Sequence, residues 1–178
     1  MKCFCRYNFF VYFNYENQAR LFLKLNIKII KTIISEIRKR NRQMKIFTVN
    51  FRVRSYECDS YGHVNNATYL NYLEFARMSA LFEKGFSLDS MKKNGYLVVI
   101  RRIEIDYKFP LYMNDEVFIK TFASEARKTS GTFTQQIFRA ENNQLAAEAR
   151  VTWVFIDQGG QPISIPAEIQ EAFEIGSP

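Results

Sequence analysis

The stretch that decides the fold is residues 59–77, which read Asp-Ser-Tyr-Gly-His-Val-Asn-Asn-Ala-Thr-Tyr-Leu-Asn-Tyr-Leu-Glu-Phe-Ala-Arg. Its first part, 59–66, has the composition of a loop, with a glycine, two asparagines and the single histidine of the chain. From Ala67 onward, apolar residues recur at steps of three and four, which predicts a helix with one buried face. The helix is expected to end near Lys84, because the next residue is a glycine, a common helix stop.

The junction between this loop and the helix brings polar groups together. An asparagine just before a helical run is a good N-cap, because its side-chain oxygen can accept from the first amides. Those amides have no partner within the helix and carry a partial positive charge. The carboxylate of Asp59, the imidazole of His63 and these amides would therefore form a site suited to stabilising an oxyanion.

The flanking sequence predicts an antiparallel sheet around this helix. Residues 47–53 alternate between apolar and polar, as in a half-buried strand, and a short helix or loop follows the long helix over 86–94. Further strands are predicted over 97–109, 117–124, 133–139 and 145–156, and Pro166 begins a last short helix. The fold class is α+β, with one long helix wrapped by about five strands. The edges of such a sheet leave room for a second copy.

The N-terminal segment 1–43 differs in charge from the rest of the chain. It holds ten Lys and Arg against two Glu, whereas 44–178 holds fifteen Lys and Arg against sixteen Asp and Glu. Over 16–40, basic and apolar residues follow separate faces of a predicted helix. Three interpretations of this basic extension stay open: a membrane-surface anchor, an organelle-targeting peptide, or an upstream segment absent from the mature protein, since Met44 offers a second start.

Composition excludes several kinds of site. The domain 44–178 is nearly neutral, so no nucleic-acid partner is predicted. Three cysteines without regular spacing and one histidine favour neither a disulfide framework nor a zinc site, so no metal or other cofactor is predicted. No apolar run is long and charge-free enough to span a bilayer. The absence of a clear secretory signal favours the cytoplasm, and the segment 16–40 leaves an organelle or a membrane surface open.

Two motifs resemble a known family. Asp59, followed by Gly-His-Val-Asn-Asn-Ala-Thr-Tyr-Leu at 62–70 and Leu-Glu-Phe-Ala-Arg at 73–77, resembles the hotdog-fold acyl-CoA thioesterases of the 4-hydroxybenzoyl-CoA thioesterase group, and most of all their long-chain branch. Residues 102–111, running into 114–117, are similar to the segment after the helix in that family. The resemblance covers about 46–174. It implies a hotdog fold, a homodimer or homotetramer with the active site between subunits, and hydrolysis of an acyl-CoA substrate.

The resemblance also implies roles for residues of the loop. Asp59 takes the position of the catalytic aspartate, as general base or as nucleophile, and the alternative is that it only caps a turn. Asn66 matches the position whose backbone amide polarises the thioester carbonyl, and it also fits a simple N-cap. Some relatives carry a histidine at the Asn66 position, whereas here the histidine is His63. Its role stays open between catalysis and a structural bond across the loop.

Other residues are candidates for substrate binding. Asn65 is expected to brace the loop, Ala67 to assist the Asn66 amide, and Tyr69, with Tyr72 and Phe75, to form core or the wall of an acyl tunnel. Coenzyme A carries phosphates, so cations are expected near the mouth of the site. The candidates are Arg101, Arg102, Arg127 and Lys128. Glu74 is expected to be a buried carboxylate that ties the loop to the helix, and Cys58 a packing residue.

Two other functions fit the same fold. One is a non-catalytic acyl-CoA-binding protein that acts as a sensor or an assembly partner. The other is a dehydratase acting on a hydroxyacyl thioester, which needs a histidine and a carboxylate from separate elements. His63 and Asp59 lie four residues apart in one loop, which disfavours the dehydratase. Acyl chain length and the carrier, coenzyme A or acyl carrier protein, stay open.

Overall fold

The computed structural model describes residues 45–174, together with Ile27, Ile30 and Lys31. These three residues are helical, and the rest of the predicted basic helix over 16–40 lies outside the described residues. By its internal contacts the chain divides into two units, 1–43 and 44–178. Within the described part of the chain, no helix has the length and apolar character needed to cross a membrane.

The described part of 44–178 forms one antiparallel sheet with three α-helices. In chain order the elements are β1 (Phe47–Arg52), a 3-10 turn (Ser55–Glu57), α1 (Asn66–Glu83), α2 (Leu88–Lys93), β2 (Tyr96–Tyr107), β3 (Glu116–Ala126), β4 (Ser130–Arg139), β5 (Gln144–Asp157) and α3 (Ala167–Ala172). This confirms the predicted α+β class with a long helix and five strands. Segment 86–94 contains a helix rather than only a loop.

The strand order is β1-β3-β4-β5-β2, so β2 lies at the far edge of the sheet, next to β5. The four strands after α1 are therefore not paired in simple succession. Residues 108–115, between β2 and β3, are too many for a two-residue hairpin and include Pro110. They cross instead from the edge strand β2 to β3, which lies next to the opposite edge strand β1. On the way the Leu111 carbonyl accepts the Val64 N–H at 2.8 Å, which joins this connection to the loop before α1.

The core fills the space between α1 and the inner face of the sheet. Leu73 and Ala76 of α1 are buried with Ile119, Ile137 and Val151 from three neighbouring strands. Removing such apolar surface from water is the main stabilising term of the domain. A second cluster, around Trp153 and the short helices, closes the opposite end. Because α1 is packed along its length, its N-terminus has a fixed position relative to the sheet.

Candidate active site

The loop before α1 is held closed by its own main chain. The Asp59 N–H donates to the His63 carbonyl at 2.8 Å, and the Gly62 N–H donates to the Asp59 carbonyl at 3.0 Å. Gly62 has φ of 81°, a left-handed conformation that glycine adopts without steric cost. Cys58 and Val64 form a bridge at the base of the loop. These bonds give Asp59 a defined place.

The Asp59 side chain is half-buried, and its two oxygens differ. Oδ1 accepts the Tyr61 N–H at 2.9 Å, a bond to the main chain two residues on that is typical of turns. Oδ2 has no hydrogen-bond partner among the described residues. The turn-capping role is therefore compatible with a chemical role, because it uses one oxygen and leaves the other without a partner among the described residues.

Asn65, not Asn66, is the N-cap of α1. The Asn65 Oδ1 accepts the Ala67 N–H at 2.9 Å, and Asn66 is the first helical residue. The alternative that Asn66 caps the helix is therefore wrong, because a cap residue precedes the helix and supplies the acceptor. The Ala67 amide is engaged by this cap. The Asn66 N–H has no acceptor within the described residues, so it is the amide at this helix end that can meet an oxyanion.

Two tyrosines hold the first turn of α1 against β2. The Tyr107 hydroxyl donates to the Asn66 carbonyl at 3.1 Å, and the Tyr107 and Tyr69 rings meet edge to face with centroids 5.1 Å apart. Tyr69 is buried, which raises its pKa to about 12, so its hydroxyl stays neutral. Tyr69 thus belongs to the core behind the site. Sequence reasoning missed Tyr107, although it lies in the second family motif.

His63 links the site loop to the crossing connection. Its main chain forms a bridge with Tyr112, and the imidazole meets the Tyr112 ring edge to face at 5.2 Å. Within the described residues the imidazole makes no hydrogen bond to Asp59 or to another group. The bond across the loop comes from the His63 carbonyl rather than from its ring.

The buried carboxylate beside the site is Glu57, not Glu74. Glu57 accepts from the Tyr72 hydroxyl at 2.8 Å and from the Arg54 N–H at 2.7 Å, and it pairs with the Arg54 guanidinium at 3.0 Å. Its carbonyl accepts the Asn65 N–H at 2.9 Å, so Glu57 ties the loop to the helix. Glu74 is exposed, and the expectation that it is buried was wrong. The 3-10 turn that carries Glu57 has no periodic pattern that would have revealed it.

Cys58 lies between Glu57 and Asp59 in the sequence and packs against the core. Burial raises the pKa of its thiol, and the charges of Asp59 and Glu57 add to that shift. A thiol with a raised pKa is a poor nucleophile, because the thiolate is the reactive form. The geometry therefore supports packing as the role of Cys58.

The candidate phosphate-binding cations lie in two places. Arg102 is exposed on the edge strand β2 and pairs with Glu104 at 2.9 Å, next to Arg101 at a bulge. Arg127 and Lys128 lie beyond the end of β3 that is opposite to the site loop. Since β3 has 11 residues, it spans roughly 35 Å, and a single chain does not bring this pair to Asp59.

Comparisons with known proteins identify relatives of this chain. The long-chain acyl-CoA thioesterase FadM of Escherichia coli (strain K12) is 34% identical over 124 residues, which cover 69% of this chain and 93% of the relative. The chloroplastic acyl-acyl carrier protein thioesterase ATL3 of Arabidopsis thaliana is 30% identical over 70% of this chain, which spans 66% of that relative's length.

The fold also matches solved structures. The crystal structure of YbaW, a probable thioesterase from Escherichia coli, superposes with a TM-score of 0.64 at 32% identity, over 72% of this chain and 96% of that one. This likeness confirms the hotdog fold expected from the resemblance. A family model described as the thioesterase-like superfamily matches residues 53–173, which include the site loop, α1 and the whole sheet after β1. The chain belongs to the thioesterase-like superfamily, which confirms the resemblance and the enzyme class predicted from its sequence.

Proposed function

We propose that this protein hydrolyses an acyl-CoA thioester to a free acid and coenzyme A. The observation that carries the proposal is that one loop and the helix after it present both a main-chain N–H and a carboxylate oxygen that have no partner among the described residues. The donor is the Asn66 N–H, the first amide of α1, and the oxygen is Oδ2 of Asp59 on the loop that leads into the same helix. The Glu57, Tyr107 and Leu111 bonds hold both elements in place.

In this proposal the thioester carbonyl oxygen binds the Asn66 N–H, where the helix end stabilises the negative charge that develops. Asp59 then either takes a proton from a water, which attacks the carbonyl carbon, or attacks that carbon itself to give a mixed anhydride that water opens. Either way the C–S bond breaks and the electron pair leaves on sulfur. A thiol has a pKa of about 8.5, so its thiolate leaves without a strong general acid, and His63 need not supply a proton.

A homodimer or a homotetramer is part of the proposal. The edge strand β2 exposes Arg102, Tyr107 and its unpaired main-chain groups, and pairing with a second copy would cover them. Such a copy would also bring its own Arg127 and Lys128 into the assembly, which one chain alone keeps far from the site. These cations are proposed to meet the phosphates of the carrier.

The carrier and the cellular location are separate parts of the proposal. The names of the relatives include both acyl-CoA and acyl-acyl carrier protein thioesterases, and coenzyme A is the carrier proposed here. The proposed location is the cytoplasm. Organelle targeting through the basic segment 1–43 is the alternative, supported by the chloroplastic relative. A fluorescent protein fused behind residues 1–43 that enters an organelle in cells would favour targeting, and one that binds anionic vesicles would favour membrane contact.

The test is thiol release by the full chain with a panel of short, long and aromatic acyl-CoAs. Asp59→Asn is expected to lower kcat by on the order of 100-fold or more, since it removes the only proposed base or nucleophile. Asp89→Asn, a change to an exposed carboxylate on α2, is the matched control and should keep full activity. Tight binding of acyl-CoA by folded protein with no thiol release would favour the non-catalytic alternative, and hydration of an enoyl-CoA would favour the dehydratase.

A further inference from the structure

A cavity of about 180 Å³ lies against the C-terminal half of α1 and the inner face of the sheet. Much of its wall is apolar, and it includes Met78, Leu81, Val98, Ile100, Phe133 and Phe155. Both α1 and β2 extend from this cavity to the candidate active site, where Tyr107 of β2 bonds Asn66 of α1. The two elements therefore connect the catalytic end of the domain with the cavity.

Two buried polar groups interrupt the apolar wall, and the first is Arg77. Its guanidinium is buried and donates to Oε1 of Gln135 at 2.9 Å. Within the described residues it forms no ion pair with a carboxylate. Burial lowers the pKa of Arg77, while the charge of Glu74, also in the cavity wall, opposes that shift. A buried cation without a carboxylate partner is rare, because its desolvation is costly.

Gln135 cannot turn away to relieve this arrangement. It is fully buried, and its amide nitrogen donates to the Leu73 carbonyl and to the Thr121 hydroxyl, both at 3.0 Å. Its Oε1 is thereby directed to Arg77. The guanidinium is thus fixed by a neutral acceptor and keeps further N–H groups for another partner.

The second polar group is the indole of Trp153. Trp153 is 1% exposed, and its N–H has no acceptor among the described residues. The ring lies directly against Gly131, where any side chain would collide with it, so the indole is fixed. Buried donors without partners are uncommon in folded proteins. Arg77 and Trp153 are thus buried residues of one cavity wall whose N–H groups are not all paired among the described residues, whereas the carboxylate of that wall, Glu74, is exposed.

We propose that this cavity receives the distal end of the acyl group, and that this end carries an oxygen that accepts hydrogen bonds from Arg77 and Trp153. The inference rests on the proposed thioesterase function and names its substrate class, an acyl chain oxygenated at its far end. Asn66 and Arg77 are eleven residues apart on α1, about 16 Å at 1.5 Å per residue. An extended chain advances by about 1.2 Å per bond, which places the oxygen roughly a dozen carbons from the thioester.

The experiment compares three coenzyme A thioesters of equal length on the full chain: dodecanoyl, 12-hydroxydodecanoyl and the monothioester of dodecanedioic acid. Thiol release gives kcat/KM for each. One oxygenated substrate is expected to exceed dodecanoyl-CoA by on the order of 10-fold or more, because a site with buried donors disfavours a substrate that leaves them unpaired. Preference for the hydroxyl or for the carboxylate then identifies which oxygen the cavity takes.

Variants test whether these two donors cause the preference. Arg77→Met is expected to lower the ratio of oxygenated to plain kcat/KM by on the order of 10-fold, and Trp153→Phe should lower the same ratio while keeping an aromatic ring. Arg52→Met, at an exposed arginine of β1, is the matched control and should leave the ratio unchanged.

Two failures are distinguishable. Dodecanoyl-CoA hydrolysed as well as both oxygenated substrates by the unaltered protein would overturn the inference and leave the thioesterase function intact. Thiol release from none of the three, or from any other acyl-CoA, would overturn the proposed function itself. Should Arg77→Met fail to fold, the substrate ratio of the unaltered protein and of Trp153→Phe still decides the question.

Discussion

A main-chain N–H cannot be removed by shortening a side chain, and this governs what substitutions at Asn66 can do. Asn66→Ala is expected to keep thioesterase activity within about 3-fold, whereas Asn66→Pro, which lacks the N–H, should lower kcat by on the order of 100-fold. The proline is tolerated because Asn66 is the first helical residue and Asn65 already has an extended ψ of 138°. Circular dichroism would establish the fold, and thiol release the activity; equal activity of the two variants would contradict the role of this amide.

The neighbouring residue, Asn65, is expected to affect the stability of the fold, because it caps α1. Asn65→Ala removes the acceptor of the Ala67 N–H and is expected to lower the free energy of unfolding by about 1 kcal/mol. Asn66→Ala serves as the matched control and should change it little, because no hydrogen bond of its side chain is seen in the described residues. Urea denaturation measures both, and equal loss in the two variants would refute the assignment of the cap.

At the scale of residues, the sequence predicted which residues lie at the candidate site but not which hydrogen bonds each of them makes. Asp59, His63 and the two asparagines were recognisable from the loop and the family motif. Which asparagine caps the helix depends on where the first helical turn closes, and a pattern of residues cannot resolve a shift of one position. Glu57 and Gln135 stand out only because the structure shows them buried and bonded. Glu57 lies in no periodic pattern, and Gln135 lies in the alternation of a predicted strand, which places it on the inner face but does not identify its partners.

At the scale of elements, β4 and the ring of Trp153 lie in such close contact at Gly131 that no space is left for a side chain. A methyl group at position 131 would collide with the indole, so Gly131→Ala is expected to lower the free energy of unfolding by about 1–3 kcal/mol. Ser130→Ala, one position earlier on the same strand, is the control and should cost less. Denaturant unfolding checks this, and an unchanged midpoint for Gly131→Ala would show that the ring moves aside freely.

The boundaries of helices and strands were largely predictable, because alternation and helical spacing are strong in 44–174. The pairing of the strands was less predictable. The sequence gives no local sign that β2 joins β5, since that choice depends on how residues 108–115 cross the sheet. The crossing is in turn fixed by contacts such as Val64 with Leu111, which only the folded chain brings together.

At the scale of the whole molecule, the proposed assembly pairs β2 with β2 of a second copy. Val99→Lys puts a charge on this exposed strand and is expected to shift the full chain from dimer or tetramer towards monomer, with a parallel loss of thiol release. Thr48→Lys also introduces a lysine, but on the opposite edge strand, β1, and should leave the oligomeric state and the thiol release unchanged. Sedimentation and activity at equal protein concentration test this, and a fully active monomer would contradict an active site shared between subunits.

The late position of β5 in the chain has a consequence for synthesis. Strand β2, Tyr96–Tyr107, pairs with 147–157, so some fifty residues on average separate the partners. Strand β1 likewise pairs with β3, which comes much later in the chain. Contacts this distant in sequence close slowly and make folding slower than in helical domains of the same size. During translation β2 therefore has no partner strand within its own chain until β5 has left the ribosome. Tyr107 pairs with Ala147, near the start of β5. We therefore expect a chain cut before residue 147 to lack the strand that holds Tyr107 against the first turn of α1, and with it an ordered form of the proposed active site.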